Sequence, residues 1–264
     1  MRLRSSLFWG LALILLAGLL LLKELGLFTG SVFGLFWPVV LILLGFWLLA
    51  GFFLRGRPGA LDQSFSVPVD GASSARLKLD HGAGKLDIRA GAEAGSLVSG
   101  TSDQPVAVDS RLNGSRLEVK LKMDPQFWLW LPGDSLDWEL RLQKDIPLVL
   151  DIDNGASTSF LDLSELKVSE LDLDTGASTT EITLPADAGM TRADIDTGAS
   201  TLRINVPAGV AASITIKSGL STINVDETRF PKLAGGLYRS ADYDQATNRA
   251  EIVIDSGVGT ITIH

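Results

Sequence analysis

The chain has no cysteine in 264 residues and only two histidines, His81 and His264. Without thiols there is no disulfide framework, no thiolate nucleophile and no cysteine-ligated metal. Basic residues are also scarce beyond the first stretch. Residues 1–57 hold five Lys+Arg (Arg2, Arg4, Lys23, Arg55, Arg57) and one acid, Glu24, whereas residues 58–264 hold 18 Lys+Arg against 30 Asp+Glu, a net charge of −12. Such a surface repels phosphates rather than releasing their counterions, which argues against nucleic acid as a partner. Anionic lipid is repelled too, apart from the basic edge at Arg55 and Arg57.

What is plentiful at the start is apolar sequence. Residues 7–22 carry no charge, Lys23 and Glu24 interrupt, and a second uncharged run covers residues 32–54. A membrane span needs about 20 apolar residues, so the second run is long enough, and Lys23 can snorkel to lengthen the first. The pattern predicts a two-helix transmembrane module over residues 1–57. A cleaved signal peptide is the alternative for the first run, but no convincing A-x-A site follows it and a second span comes at once. Arginine pairs outside each run place both ends in the cytoplasm by the positive-inside rule, and with them the rest of the chain.

Further on, one pattern repeats. Asn154-Gly155-Ala156-Ser157, Thr175-Gly176-Ala177-Ser178, Thr197-Gly198-Ala199-Ser200 and Ser218-Gly219-Leu220-Ser221 set their glycines 21, 22 and 21 residues apart, and further copies stand at Gly82 and Gly257. A near-constant period of this length marks a stacked repeat. Three places before each glycine stand Leu79, Ile152, Leu173, Ile195, Ile216 and Ile254; five before stand Leu77, Leu150, Leu171, Ala193, Ile214 and Ile252; six after stand Ile88, Leu161, Ile182, Ile204, Val225 and Ile263. Polar residues alternate with them, as in half-buried strands. Each copy reads as strand, glycine corner, strand and connector, too short to bury its apolar face without stacked neighbours. The predicted fold is mainly β: a β-solenoid of stacked rungs of about 21 residues, with Ala156, Ala177 and Ala199 inside the bends. The residues before the glycines form a hydrogen-bonded ladder up the stack. Residues 151–264 are its regular repeats, and the final copy, 251–264, closes the stack as a cap.

Residues 58–150 form the start of the solenoid. Asn113-Gly114, between alternating runs at 106–112 and 116–121, predicts a hairpin with a type I′ turn, which would cap the open end of the stack. Residues 138–142 alternate as another strand. Before them, Phe127, Trp128 and Trp130 form the candidate interaction surface, since aromatic residues are enriched at binding hot spots and membrane interfaces. Alternation also allows Phe127 to face the core while Trp128 and Trp130 cover an end of the solenoid.

Chemistry finds little support. Asp151/Asp153, Asp172/Asp174 and Asp194/Asp196 place paired carboxylates on successive rungs, with Lys217 positioned to pair with Asp196. Calcium would take several such oxygens, but the spacing matches no EF-hand loop, and solvated surface carboxylates are the better reading. Ser157, Ser178, Ser200 and Ser221 recur in every rung, which marks them as repeat positions rather than a nucleophile with its own base. No catalytic, cofactor or metal site and no small-molecule substrate is expected.

These residues carry a resemblance. Ser6-Leu7-Phe8-Trp9-Gly10, Phe36-Trp37-Pro38 and Leu41-Ile42-Leu43-Leu44-Gly45 resemble the two-helix membrane module of LiaI/LiaF-type envelope proteins. The Gly-Ala-Ser repeats resemble the toast-rack and adhesin-like β domains that follow it, including the C-terminal domain of LiaF. The resemblance implies a non-enzymatic protein acting by protein–protein contact. Its setting would be cell-envelope stress sensing or control of a membrane histidine kinase, with self-association as another mode of contact. A surface adhesin or structural envelope protein is the alternative. The family's shared pattern is structural, so no functional residue carries over.

Overall fold

Each copy of the repeat folds as one long strand bent at its glycine. The computed structural model describes residues 63–123 and 136–264; both apolar runs, and Phe127, Trp128 and Trp130, lie outside these residues. Among the described residues no helix is long and apolar enough to cross a membrane. The strands are β1 (Gln63–Pro68), β2 (Ser74–Ala90), β3 (Ser96–Ser102), β4 (Val106–Asn113), β5 (Arg116–Met123), β6 (Trp138–Leu142), β7 (Leu148–Asp162), β8 (Val168–Thr183), β9 (Met190–Asn205), β10 (Ala211–Val225), β11 (Leu237–Arg239) and β12 (Arg249–Ile263). They form one sheet, and its spine is a parallel stack of rungs in the order β2-β7-β8-β9-β12-β10.

The apolar columns stack as the periodicity requires. Leu79, Ile152, Leu173, Ile195 and Ile254 are buried, as are their counterparts five places before and six places after each glycine, except on β10. There Ile216 and Val225 are only half-buried, because β10 ends the stack. This corrects the expected burial of those two positions.

Along the spine, strand order departs from chain order at one point. β12 pairs in parallel with β9 on one side and β10 on the other, so the final copy is inserted into the stack and does not close it. Lys217 consequently stands opposite Asp255 instead of Asp196. The end is formed by β10, whose first arm is covered by the short antiparallel β11.

At the other end both arms of β2 are covered. β5 pairs with the first arm and the β4–β5 hairpin extends it; β6, β3 and β1 extend the second. The hairpin is the expected one, but its turn is not. Asn113 pairs with Arg116, so Gly114 and Ser115 form the turn. Of these only Gly114 has positive φ, at 63°. Type I′ needs positive φ at both central residues, whereas glycine at the first alone suits type II′.

The corner explains the glycines. Asn154 pairs with Thr175 and Ala156 with Ala177, with the glycine between left out of the ladder. A Cβ on Gly155 would lie 2.3 Å from the Gly82 carbonyl oxygen. On Gly176 and Gly198 it would lie 2.7 Å from the carbonyl below, on Gly257 2.6 Å and on Gly219 2.8 Å. The glycines thus stand in one column, 82-155-176-198-257-219, where backbones approach too closely for any side chain. Alternation slips here, so the glycine and its successor both face outward. Ala156, Ala177 and Ala199 are exposed, which corrects their expected place inside the bend.

Candidate interaction surface

Because the rungs are in register, equal residues form outward columns about 4.8 Å apart. One column runs Lys78-Asp151-Asp172-Asp194 and a second Asp80-Asp153-Asp174-Asp196-Asp255-Lys217. Asp153, Asp174, Asp196 and Asp255 wall a shallow groove floored by the corner glycines. Lysines meet the columns at the first rung: Lys78 donates to Asp151 at 3.0 Å and Lys120 pairs with Asp80 at 2.7 Å. Between the ends there is no such relief. The Asp172, Asp174 and Asp196 carboxyls are raised above the ordinary carboxylate range, first by burial and then by neighbouring carboxylates. Among the described residues no group of three or more His, Asp or Glu side chains is placed to hold a metal ion.

That crowding has a sign that can be tested. Raised folded-state values mean these groups take protons more readily folded than unfolded. Their destabilising effect is fully present at neutral pH and is relieved as pH falls through the raised values. Replacing Asp172, Asp174 and Asp196 together by asparagine should therefore raise the urea midpoint at neutral pH. The gap to wild type should close on acidification; a gap constant with pH would refute the account.

The repeat serines face inward at the corner, where Ser157 and Ser178 bond within their own rung and Ser200 Oγ and the neighbouring Thr197 Oγ1 have no partner. Asn154 Nδ2 donates to Ser159 Oγ at 3.1 Å, Ser178 Oγ donates to Thr175 at 2.9 Å, and Ser157 and Ser159 share a bond of 3.2 Å. One bond joins rungs, Ser221 to Ser256 at 3.2 Å. The expected ladder is therefore a seam of short links within rungs. His81 is buried at its end, 2% exposed, with Nε2 2.8 Å from the Leu136 carbonyl oxygen. His264 is exposed, beyond the end of β12.

One edge of the stack is bare. β11 pairs only with residues 213–215 of β10, and no described strand lies beside residues 216–225 on that side. Leu220 is 80% exposed there, and Ile216, Ile223 and Val225 are half-buried beneath it. The repeat columns themselves mark this rung. Leu220 stands where β2, β7, β8 and β9 carry alanine and β12 carries Val258, and Lys217 is the one residue of its column that is not aspartate. Sequence reasoning noted Lys217 as a partner for Asp196, without seeing that it marks the exposed end.

The chain matches the family model "N-terminal domain of toast_rack, DUF2154" over residues 57–205, more than half its length. It belongs to the toast-rack family. A second model, the LiaI-LiaF-like transmembrane region, matches residues 7–49, so this toast-rack protein is membrane-associated. No curated protein matches. A solved structure from Clostridium sporogenes ATCC 15579, named a "putative cell adhesion protein", is similar with a TM-score of 0.69 at 20% identity, over 76% of this chain and 97% of that chain. At that identity the likeness is one of fold. The toast-rack match takes in Gly82, Gly155, Gly176 and Gly198 and ends with β9, so the inserted β12 and the bare edge of β10 lie beyond it.

Proposed function

We propose that this toast-rack protein is a non-enzymatic, membrane-anchored β-solenoid that acts by protein–protein contact in cell-envelope stress sensing or the control of a membrane histidine kinase. The observation that carries contact is the bare edge at residues 216–225. Unpaired N–H and C=O groups on a strand edge are a template for another strand, and affinity then comes from main-chain hydrogen bonds. Three of the four arm ends of the stack are covered by the chain's own strands; this one presents Leu220 to solvent. The LiaI-LiaF-like match supports the anchor, which we take to be two spans, with the β domain in the cytoplasm. The kinase connection rests on the resemblance to LiaF.

The absence of cysteine makes the test direct. Single cysteines at Leu220, at Asn224 and, as a mid-stack control, at Thr179 would be cross-linked in membranes carrying the full chain. Adducts with a partner or a second copy are expected from Leu220→Cys and Asn224→Cys but not from Thr179→Cys. Equal yields at all three, or none at the edge, would refute contact through this surface. The same cysteines decide the side. A membrane-impermeant maleimide should leave them unlabelled in intact cells, whereas labelling would favour the second reading, a surface adhesin. The name of the similar solved structure supports that alternative.

A further inference from the structure

Beyond the corner at Gly219 the bare second arm of β10 runs from Leu220 to Val225. Ser221, Ile223 and Val225 face inward and are half-buried, whereas Leu220, Thr222 and Asn224 are exposed. Main-chain groups alternate sides along a strand, each residue turning its N–H and C=O to one neighbour. The Asp226 N–H donates to the Ile263 carbonyl on β12, so residues 222 and 224 turn theirs to β12 as well. The N–H and C=O groups of Ser221, Ile223 and Val225 therefore point to the open side. Charge singles out the same strand. Residues 58–264 carry a net −12, yet β10 is the one rung of the spine without an Asp or Glu. Beside Thr222 and Asn224 on β12 stand Thr260 and Thr262, also uncharged. The covering strand β11 lies over residues 213–215, before the corner, and leaves the second arm open.

We propose that the occupant of this edge is a second copy of the chain, the two β10 arms pairing antiparallel about a two-fold axis at Ile223. The inference rests on the reading of this edge as a contact surface and names its partner. In that register Ile223 meets Ile223, and Ser221 meets Val225 of the other copy. All the residues with open main-chain groups then face one another, each such pair exchanging both of its N–H···O bonds. A register moved by one residue would set inward side chains against outward ones. Moved by two, it forfeits a hydrogen-bonded pair. The arm is thus its own complement in bond direction, in facing and in the apolar contact at its centre. It is also the rung whose edge can meet its copy without setting carboxylate against carboxylate, and Lys217 stands before the corner, outside the paired segment. The contact is isologous, so it closes on itself and leaves neither second arm open to a third chain. A single short arm binds weakly in solution, but chains held on one membrane meet at a raised effective concentration.

The test uses the full chain, purified into vesicles of uncharged lipid and carrying either of two tags. Thr222 of one copy and Asn224 of the other form the non-hydrogen-bonded pairs, with Cα atoms about 4.5 Å apart and within disulfide reach. On mild oxidation, Thr222→Cys mixed with Asn224→Cys should give a mixed-tag dimer. Its yield should be at least about threefold that of either variant alone, whose like positions lie about 7–8 Å apart. Charge gives a second readout, followed by energy transfer between chains labelled at their tags. Thr222→Asp with Asn224→Asp sets like charges opposite and should weaken pairing about fivefold or more, whereas Thr222→Lys with Asn224→Asp should restore it. Both positions are exposed beside threonines, so these variants keep the core intact. Equal cross-linking of each variant alone, or paired aspartates without effect, overturns the dimer. If no dimer forms in vesicles while Leu220→Cys still traps a different protein in cell membranes, this inference fails and the contact reading stands. If neither setting gives an adduct, both fail.

Discussion

Gly155→Ala is expected to cost on the order of 3 kcal/mol or more, at the upper end of what overpacking does. The added Cβ would meet the Gly82 carbonyl oxygen at 2.3 Å. That oxygen cannot retreat, because the residues on either side are held in register: His81 pairs with Asn154 and Ala83 with Ala156. Relief requires the two rungs to separate at the corner, which breaks ladder bonds on both arms. Gly209 is the control. It lies in a connector with nothing within 4 Å of a built Cβ and no positive φ, so Gly209→Ala should change stability by less than about 1 kcal/mol. Both are read from urea midpoints. Similar losses would mean that the corner yields and that the column does not enforce glycine.

A chain truncated after Asn248 should lose more than one rung. Removing β12 takes away Ile252, Ile254, Ile261 and Ile263, all fully buried. At about 1.5–3 kcal/mol each this is about 6–12 kcal/mol, comparable with the whole stability of an ordinary domain, about 5–15 kcal/mol. It also strips the neighbour from both β9 and β10. Amide exchange should show β10 and β11 losing protection together while β7 and β8 retain it, unless β10 moves onto the edge of β9, which cysteines at Thr201 and Thr222, now side by side, would report by cross-linking. Had β12 been a terminal cap, the same truncation would have left β10 seated as before. Native protection in β10 without that cross-link would therefore refute the role given to the inserted strand.

Much of this architecture was legible because it is periodic. Glycines at a near-constant spacing, with isoleucine and leucine three places before and six after, leave few folds other than a stack bent at the glycine. The same regularity hid the strand order. Every rung carries the same apolar columns, so β10 and β12 both fit the edge of β9 by pattern, and Lys217 opposite Asp196 favours chain order. The alanines after the glycines were misread because their small size suited the inside of a tight bend, whereas the backbone slips by one residue there and turns them outward. The edge of β10 was signalled by Leu220 and Lys217 breaking their columns. The candidate surface at Phe127, Trp128 and Trp130 remains a reading of sequence.

The inserted strand also bears on the order of events during synthesis. The ribosome makes β10 before β12, so for a time β9 ends in a free edge and β10 is the rung at hand, carrying matching columns. The nascent chain can join them, as chain order suggests, and the product would satisfy every apolar column. The native stack requires that junction to be absent or to open, so that the later strand can enter between them. Repetition, which makes each rung an acceptable neighbour for any other, thus gives the chain a well-formed wrong turn on the way to its native order.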